Sequence, residues 1–353
     1  MFKKSLLALA VLFLLMTSTL YAQSSDALLT LRHEGVVTSA VWNSDETQIL
    51  TASEDSTARI WDAATGEQTA LFQHDSPVRG ASWGADSSQI LTWDEIGQVT
   101  IWDAATSESL MTTSHNANVH GAEWNADESA VLSWSDDQTA HVWILPDTVI
   151  TLQHDSPVEE ANWSADESKI YTVDETGRGH IWSLTDTSAE ETQTVVFDFG
   201  GMTLGAIWNT DDSRILSWGA GGGVQLWDTN SGLVIRTLDH NTFVDGAKWN
   251  IDGSRIVSWS GDDTVRLWNT DTGEELLRLQ HEDWVTSAMW SNDESQILST
   301  SFNNVWLWDS TTGDLMAQFN HDNLVNGAIW NADNSRILSW SWDGTARVWN
   351  LDQ

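Results

Sequence analysis

The chain contains no cysteine and only three prolines, and its 353 residues carry 15 lysines and arginines against 52 aspartates and glutamates. The absence of cysteine excludes a disulfide framework, a thiolate metal site and a cysteine nucleophile. A formal charge of −37 disfavours binding to nucleic acid or to an anionic membrane, because neutralising phosphates requires lysine and arginine. The hydrophobic fraction of 41% is still sufficient for a large folded core.

A long apolar run occurs only near the beginning of the sequence. Lys3 and Lys4 precede an apolar stretch from Leu6 to Met16, and small and polar residues follow as far as Ala22. The stretch is shorter than the ~20 residues of a membrane span, and this order is typical of a secretory signal. We therefore predict a signal peptide over residues 1–22, cleaved after Ala22. The mature chain, residues 23–353, is then secreted or periplasmic and has no membrane span; an uncleaved anchor is the alternative.

A pair of tryptophans recurs about every 40 residues through the rest of the chain, which gives eight repeats. The first tryptophan of each pair is Trp42, Trp83, Trp124, Trp163, Trp208, Trp249, Trp290 or Trp330. The second is Trp61, Trp102, Trp143, Trp182, Trp227, Trp268, Trp308 or Trp349. A histidine stands nine residues before the first tryptophan, except in repeat five, where Phe199 replaces it. Short apolar runs between turn residues predict four strands in each repeat and an all-β array.

This pattern resembles the WD40-repeat family over nearly all of residues 27–350. The Trp-Asp dipeptide itself ends the third predicted strand of four repeats, at Trp61, Trp102, Trp227 and Trp308. The resemblance implies a single eight-bladed β-propeller. The chain ends after the third strand of repeat eight, so the segment from Ala27 to Arg32 is predicted to add the fourth strand and close the last blade. The insert from Thr185 to Gln193 is predicted to be a loop.

The resemblance also implies a hydrogen-bonded set of histidine, serine or threonine, aspartate and tryptophan in each blade, called the tetrad below. Four repeats contain every member: His33, Thr51, Asp55 and Trp61; His115, Ser133, Asp137 and Trp143; His240, Ser258, Asp262 and Trp268; His321, Ser339, Asp343 and Trp349. Ile96 and Thr176 replace the aspartate in repeats two and four, and Phe199 and Gly221 replace both polar ends in repeat five. Repeat seven is one residue short at this turn. We expect these four blades to be locally softer.

Three further sets of residues have a functional and a structural interpretation. Tryptophan occupies one second-strand position in five repeats, at Trp93, Trp134, Trp218, Trp259 and Trp340, and packing between blades is favoured over a ligand cage because aromatic rings bury large areas. An aspartate in the first turn of every repeat is hairpin chemistry rather than a calcium site, which needs about six to eight converging oxygens. His141 and His180, with His120 nearby, lack a third ligand at a metal-binding spacing, so no metal and no cofactor are expected.

The sequence contains no motif that indicates catalysis. It lacks a glycine-rich phosphate loop, a Gly-x-Ser-x-Gly turn and a His-Glu-x-x-His motif, although carboxylates from different blades could still meet. The segment from Asp62 to Glu67 is faintly similar to turns of quinone-cofactor propellers, but a hairpin explains it more simply. We therefore expect no enzyme.

In the WD40 family, partners most often bind the face formed by the loops before the first strand and after the second. By analogy, repeats five to eight place an apolar set there: Met202, Leu204, Phe243, Trp284, Phe302, Leu324 and Trp342. Repeats one to four place an acidic set there: Glu54, Glu95, Asp136, Glu159 and Glu175. We predict a monomeric scaffold that binds a protein or peptide with apolar and basic residues. The apolar set could instead fold inward over the channel. A carbohydrate-binding or glycan-processing propeller and a quinone-cofactor propeller remain alternatives.

Overall fold

The computed structural model describes residues 26–185, 188–196 and 202–351, so the predicted signal peptide and Phe199 lie outside the described residues. Within these ranges, all regular secondary structure is β, arranged as eight antiparallel four-stranded sheets. The described ranges contain no helix that is long and apolar enough to cross a membrane. Each sheet is one blade, and blades one to eight follow the order of the repeats.

Blade one contains β2 (Val37–Trp42), β3 (Gln48–Ser53), β4 (Thr57–Asp62) and β5 (Gln68–Gln73). Blade two contains β6 (Val78–Trp83), β7 (Gln89–Asp94), β8 (Gln98–Asp103) and β9 (Ser109–Ser114). Blade three contains β10 (Val119–Trp124), β11 (Ala130–Ser135), β12 (Thr139–Ile144) and β13 (Thr148–Gln153). Blade four contains β14 (Val158–Trp163), β15 (Lys169–Asp174), β16 (Arg178–Thr185) and β17 (Ser188–Val196).

Blade five contains β18 (Thr203–Trp208), β19 (Arg214–Gly219), β20 (Gly223–Asp228) and β21 (Leu233–Asp239). Blade six contains β22 (Val244–Trp249), β23 (Arg255–Ser260), β24 (Thr264–Asn269) and β25 (Glu275–Gln280). Blade seven contains β26 (Val285–Trp290), β27 (Gln296–Ser301), β28 (Asn304–Asp309) and β29 (Leu315–Asn320). Blade eight contains β30 (Val325–Trp330), β31 (Arg336–Ser341), β32 (Thr345–Asn350) and β1 (Leu29–Arg32).

The blades form a closed ring. The first strand of every blade contacts the first strands of both neighbouring blades, so these strands are innermost. The predicted closure of blade eight is confirmed, because β1 pairs antiparallel with β32 and places Leu31 opposite Ala346. Leu31 is fully buried in a cluster with Val348 and Trp61 of blade one. The strand begins at Leu29 rather than at Ala27.

The predicted loop from Thr185 to Gln193 is wrong, because this segment lengthens a hairpin of blade four. β16 and β17 pair antiparallel over their whole length, with Thr185 opposite Ser188 and His180 opposite Thr194. A fourth strand is the outermost strand of its blade and is held by backbone hydrogen bonds on one side only. Polar residues without apolar alternation are therefore compatible with a strand at this position.

The five second-strand tryptophans pack on glycines of the first strand in the same blade. Each tryptophan lies directly opposite a glycine, as Trp259 lies opposite Gly246, and a Cβ on Gly246 would come within 1.9 Å of the Trp259 ring. The same pairs are Gly80 with Trp93, Gly121 with Trp134, Gly205 with Trp218, and Gly327 with Trp340. Blades one, four and seven have neither partner: they pair Ser39 with Ala52, Glu160 with Val173, and Ser287 with Thr300.

These rings also contribute to the contact between blades, as the sequence predicts. Trp134 packs in one buried cluster with Val158 and Ala161 of blade four, and its Nε1 donates to the Glu159 carbonyl oxygen at 3.1 Å. Trp259 packs in the same way against Ala288 of blade seven.

The turns between first and second strands join neighbouring blades on the lower face, opposite the predicted binding face. In most of them a residue with positive φ extends its side chain to a backbone N–H of the preceding blade; Glu294 (φ 58°), for example, accepts from Ile251 N at 2.6 Å. In five other junctions a side-chain oxygen accepts in the same way from a backbone N–H. These pairs, with the acceptor first, are Glu46 and Ala332, Glu128 and Ala85, Glu167 and Ala126, Asp212 and Ala165, and Asn334 and Asn292. Ser87 and Ser44 join their hydroxyls at 3.1 Å instead. We call these contacts the lower clamps.

One junction lacks such a clamp. Blade six has Gly253 (φ 70°) at this position, and no atom lies within 4 Å of the point where its Cβ would be. Seven of the eight junctions described by the structure therefore have a lower clamp, and the junction between blades five and six does not.

Candidate functional site

The tetrad of blade one is a continuous hydrogen-bond chain between the second and third strands. Trp61 Nε1 donates to Thr51 Oγ1 at 2.8 Å, and Thr51 Oγ1 lies 2.7 Å from His33 Nε2. His33 Nδ1 lies 2.9 Å from Asp55 Oδ2. A neutral imidazole with its proton on Nδ1 satisfies every bond in this chain.

The structure places the side chains of the other three complete tetrads in the same arrangement. The distances from histidine Nε2 to the hydroxyl oxygen are 2.8 Å for His115 and Ser133, 2.7 Å for His240 and Ser258, and 2.7 Å for His321 and Ser339. The distances from histidine Nδ1 to the carboxylate are 3.2 Å for Asp137, 3.2 Å for Asp262 and 3.0 Å for Asp343. The tryptophans Trp143, Trp268 and Trp349 donate to those hydroxyls at 3.1, 2.8 and 2.8 Å.

Burial and hydrogen bonding set the charge of the tetrads. Burial lowers the pKa of His240 to about 4 even though Asp262 opposes this shift, so the imidazole is neutral at pH 7. Burial alone would raise the pKa of Asp262, but hydrogen bonds from Asn241 N, Thr264 and His240 hold it far below its usual range. These side chains are occupied with one another, so we assign them to the framework of the blade rather than to catalysis.

Two blades replace the missing aspartate from a different position, which the sequence analysis did not find. Asp94 ends β7 and Asp174 ends β15, two residues before the sites of Ile96 and Thr176. Both carboxylates are buried, and Asp94 Oδ2 lies 3.4 Å from His74 Nδ1. A detectable signal exists, because this strand position is aspartate only in repeats two and four, two of the four repeats that lack the turn aspartate.

On the predicted binding face, the structure brings Phe243 of blade six against Trp284 of blade seven. Their ring centroids are 5.8 Å apart at 78°, an edge-to-face contact. The Trp284 Nε1 donates to Asp245, and the Phe243 ring covers Gly261 so closely that a Cβ there would clash. Trp284 is nevertheless 41% exposed, so its ring is fixed in orientation and accessible from outside.

Three other members of the apolar set are exposed, and none is folded into the core. Trp342 is 52% exposed and its Nε1 donates to Asn326 Oδ1 at 2.6 Å, while Phe302 is 54% and Met202 45% exposed. Leu204, Phe243 and Leu324 are half-buried at the base of the same arc. The interpretation in which the apolar side chains fold inward therefore does not apply to Met202, Trp284, Phe302 and Trp342.

The acidic set lies on the other half of the face and is partly neutralised. Arg79 lies 3.4 Å from both Glu54 and Glu95, and His120 Nε2 lies 2.7 Å from Asp136. Burial raises the pKa of Glu159, which His120 opposes and nearby carboxylates reinforce. Glu54, Glu95, Asp136 and Glu175 are exposed, so this half of the face still presents negative charge.

Two glutamates on the innermost strands of blades three and four were also missed by sequence reasoning. Burial raises the pKa of Glu123 to about 7 although Trp163 N donates to its carboxylate at 3.2 Å. Burial and the neighbouring Glu123 raise the pKa of Glu160 to about 8. Glu160 stands where five other blades have glycine, which is the signal the sequence offered.

The acidic turns behave as hairpin residues. In each first turn, an aspartate oxygen accepts the backbone N–H two residues further on, as Asp45 does from Thr47 at 3.0 Å. The others are Asp86, Asp127, Asp166, Asp211, Asp252, Asp293 and Asp333. The segment from Asp62 to Glu67 is likewise a hairpin between β4 and β5, in which Asp62 accepts from Thr65 N at 2.8 Å.

Comparison with known proteins supports this architecture. The sequence model of the family described as "WD domain, G-beta repeat" matches residues 26–62, 232–269 and 313–350. The crystal structure of the computationally designed Ika8 protein is similar to this chain at a TM-score of 0.79 and 21% identity, covering 93% of this chain and 100% of that one. The C-terminal WD40 domain of Sif2 is similar at a TM-score of 0.79 and 18% identity, covering 93% of this chain and 98% of that one.

None of the curated proteins matches the chain in sequence. The two solved structures show the fold alone, and the three matched segments show the repeat. The chain is an eight-bladed β-propeller, and three of its segments match the sequence model of the WD40 repeat.

Proposed function

We propose that the chain is a non-catalytic interaction scaffold that binds a protein or peptide segment on the face carrying Trp284 and Trp342. WD40 propellers generally mediate protein interactions, which gives the general class. The observation that carries the proposal is the arc of exposed large apolar side chains on blades five to eight. An apolar surface of this kind is uncommon on a soluble protein without a binding role.

The geometry of the two tryptophans favours tight binding. Each indole N–H is already bonded, to Asp245 for Trp284 and to Asn326 for Trp342. A ring that is fixed before binding loses less conformational entropy when a partner covers it. Tryptophan is also the residue type that most often dominates binding energy at interfaces.

The charge of the molecule determines the chemistry of the partner. The acidic set adjoins the apolar arc, and the whole chain carries a formal charge of −37. Lysine or arginine in the partner would therefore be attracted over distances comparable with the ~10 Å screening length at 0.1 M salt. We infer a partner segment with large apolar residues followed or preceded by basic ones.

We also propose that the chain acts outside the cytoplasm, on the basis of the signal-like segment at residues 1–22. N-terminal sequencing of the exported protein tests this proposal, with Gln23 expected as the first residue.

Selection from a displayed peptide library tests the binding face. Peptides retained by the propeller are expected to contain apolar and basic residues and to bind at least about 30-fold more weakly to Trp284→Ala or Trp342→Ala, the loss typical of a hot-spot tryptophan. Leu233→Ala is the matched control, because Leu233 is 67% exposed at the start of the outermost strand of blade five and should not affect binding. Unchanged affinity in both tryptophan variants would contradict the site. Selective binding on a glycan array, or visible absorbance from a bound quinone, would support an alternative function.

A further inference from the structure

Blade four differs from blades one, six and eight in the third-strand side chain that lies near its buried carboxylate. In blades one, six and eight, an arginine on the third strand lies against the tetrad aspartate. The distances between these groups are 2.9 Å for Arg59 and Asp55, 2.7 Å for Arg266 and Asp262, and 2.9 Å for Arg347 and Asp343. Blade four has His180 at the arginine position. Its buried carboxylate is Asp174.

The structure gathers three potential metal ligands at this point. His154 occupies the tetrad histidine position, Asp174 ends β15, and His180 lies on β16. One ligand atom from each lies within 4.8 Å of the other two. The two imidazole centroids are 4.6 Å apart with the rings at 85°, so the rings do not stack face to face. His154 and Asp174 are almost completely buried, and His180 is half-buried.

The carboxylate of Asp174 has one oxygen fully used and one available. Its Oδ1 accepts from Thr176 N at 2.9 Å, Thr176 Oγ1 at 2.6 Å and Arg178 N at 3.0 Å. Its Oδ2 is buried and accepts no hydrogen bond in the part of the chain that the structure describes. The nearby guanidinium of Arg178 lies instead against Asp155, at 3.3 Å near the surface. Burying a carboxylate oxygen without a hydrogen bond costs free energy, which a cation beside it offsets.

Two imidazoles and one carboxylate oxygen are a ligand set suited to zinc and related divalent transition metals. Zinc binds such ligands at about 2.0–2.1 Å, which places tetrahedral ligand atoms ~3.3 Å from one another. The three atoms now lie within 4.8 Å of one another, so binding an ion requires them to move closer together. The structure places His154 and Asp174 beside His180, whereas the sequence analysis considered only His141 and His120 as its companions.

We propose that blade four binds one divalent transition-metal ion of the zinc type through His154, Asp174 and His180. The ion is structural, and it supplies the positive charge that arginine supplies in blades one, six and eight. Negatively charged Glu175 adjoins the site and raises the local concentration of cations.

Blades two and three contain only part of this ligand set or use its members in other contacts. Blade two has His74 and Asp94, but Thr100 stands in place of His180. Blade three has His115, Asp137 and His141, but His115 bonds Ser133 and Asp137, and its ring stacks on His141 at 4.0 Å and 12°. In residues 26–185, 188–196 and 202–351, only the group in blade four brings the ligand atoms of three histidine, aspartate or glutamate side chains within 4.8 Å of one another.

Metal titration of the full propeller tests the proposal. The protein is dialysed against a chelator and titrated with zinc against a colorimetric competitor, at pH 7.5 with excess magnesium and at least 0.15 M salt to suppress adventitious binding. Cobalt(II) serves as a second probe, because its visible spectrum reports nitrogen and oxygen ligation directly. We expect one tightly bound ion per chain and a zinc-dependent rise in Tm.

Single substitutions test whether zinc binds at this site or at carboxylates on the acidic surface. His180→Thr copies Thr100 of blade two and should weaken zinc binding at least ~100-fold, since removal of even an outer-shell partner costs about 10–100-fold. Asp174→Asn is the second variant and should also abolish the cobalt spectrum. His141→Thr, the matched change in blade three, should bind zinc within about twofold of the unchanged protein. Zinc binding that survives both His180→Thr and Asp174→Asn, or the absence of one stoichiometric ion in the unchanged protein, would overturn the proposal.

Discussion

At the residue scale, the main constraint is the pairing of an indole ring with a residue that has no side chain. The first strand of a blade runs so close to the second-strand tryptophan that even a methyl group would overlap the ring. Five blades use this pair, and in the remaining three both the glycine and the tryptophan are replaced. The two positions therefore change together from blade to blade.

Gly246→Ser is expected to destabilise the protein by ~2 kcal/mol, because the new side chain forces the Trp259 ring out of its packed position. In a Trp259→Thr background the same change should cost much less, since the double variant reproduces Ser287 and Thr300 of blade seven, whose hydroxyls lie 2.7 Å apart. Urea unfolding of the four proteins in a double-mutant cycle measures this coupling. Additive effects of the two changes would contradict the interpretation.

The tetrads show how far residue-level prediction can reach. The resemblance to WD40 repeats implied the set of His33, Thr51, Asp55 and Trp61, whose members stand at the same spacings in four repeats. It missed Asp94 and Asp174, since each carboxylate enters the network from a strand end rather than from the turn. Aligning repeats position by position cannot show that two different backbone positions direct their side chains to the same point.

At the element scale, the turns between first and second strands hold the blades together as well as reversing the chain. A residue in the left-handed region directs its carboxylate across the junction, and the turn aspartate fixes the hairpin itself. Gly253 keeps the backbone conformation of this turn but offers no side chain to blade five.

Gly253→Glu is expected to be about 1 kcal/mol more stable than Gly253→Ala. Both variants carry the strain of a side chain at positive φ, but the carboxylate of Gly253→Glu can accept from Thr210 N, the position equivalent to Ile251 at the next junction. The measurement is the shift in urea midpoint relative to Gly253→Ala, which has the same backbone strain and no acceptor. Equal midpoints for the two variants would show that the lower clamp contributes no stability.

The elements themselves were largely predictable. Regular spacing of the tryptophans determined the number of blades, and the missing fourth strand of repeat eight indicated that β1 would close the ring. The hairpin of β16 and β17 was not predictable in this way, because residues 188–193 are mostly polar and show no apolar alternation, although their backbone pairs with β16.

At the scale of the whole molecule, groups with opposite pKa shifts make the stability of the propeller depend on pH. Burial lowers the pKa of His240 and His281 to about 4, so these groups favour folding more strongly as the pH rises from 4 to 6.5. The raised pKa values of Glu123 and Glu160 act in the other direction, because the folded protein retains protons that the unfolded chain has lost. The two effects oppose each other between about pH 4.5 and 6.5, and above that range only the glutamates act, so stability is expected to fall between pH 6.5 and pH 8.

Glu160→Gln is expected to remove part of this alkaline loss. The folded protein with glutamate loses stability progressively between the ordinary pKa near 4.5 and the raised pKa of about 8, and an amide does not titrate. Relative to the unchanged protein, the variant should gain on the order of 2 kcal/mol between pH 5 and pH 8.5. Denaturant midpoints across this range measure the difference. Exposed Glu108→Gln is the control, and identical pH profiles for Glu160→Gln and the unchanged protein would refute the assignment.

The junction between blades five and six, which lacks a lower clamp, has a consequence for ligand binding. Because this contact is missing, we expect the junction to widen at a lower free-energy cost than the other seven, and it lies below the part of the apolar arc formed by Leu204 and Phe243. A segment bound across these two blades would draw them together from above. Because thermodynamic coupling is reciprocal, a lower clamp introduced between blades five and six would increase the affinity for such a segment. The affinity for a segment confined to blades seven and eight would be unchanged.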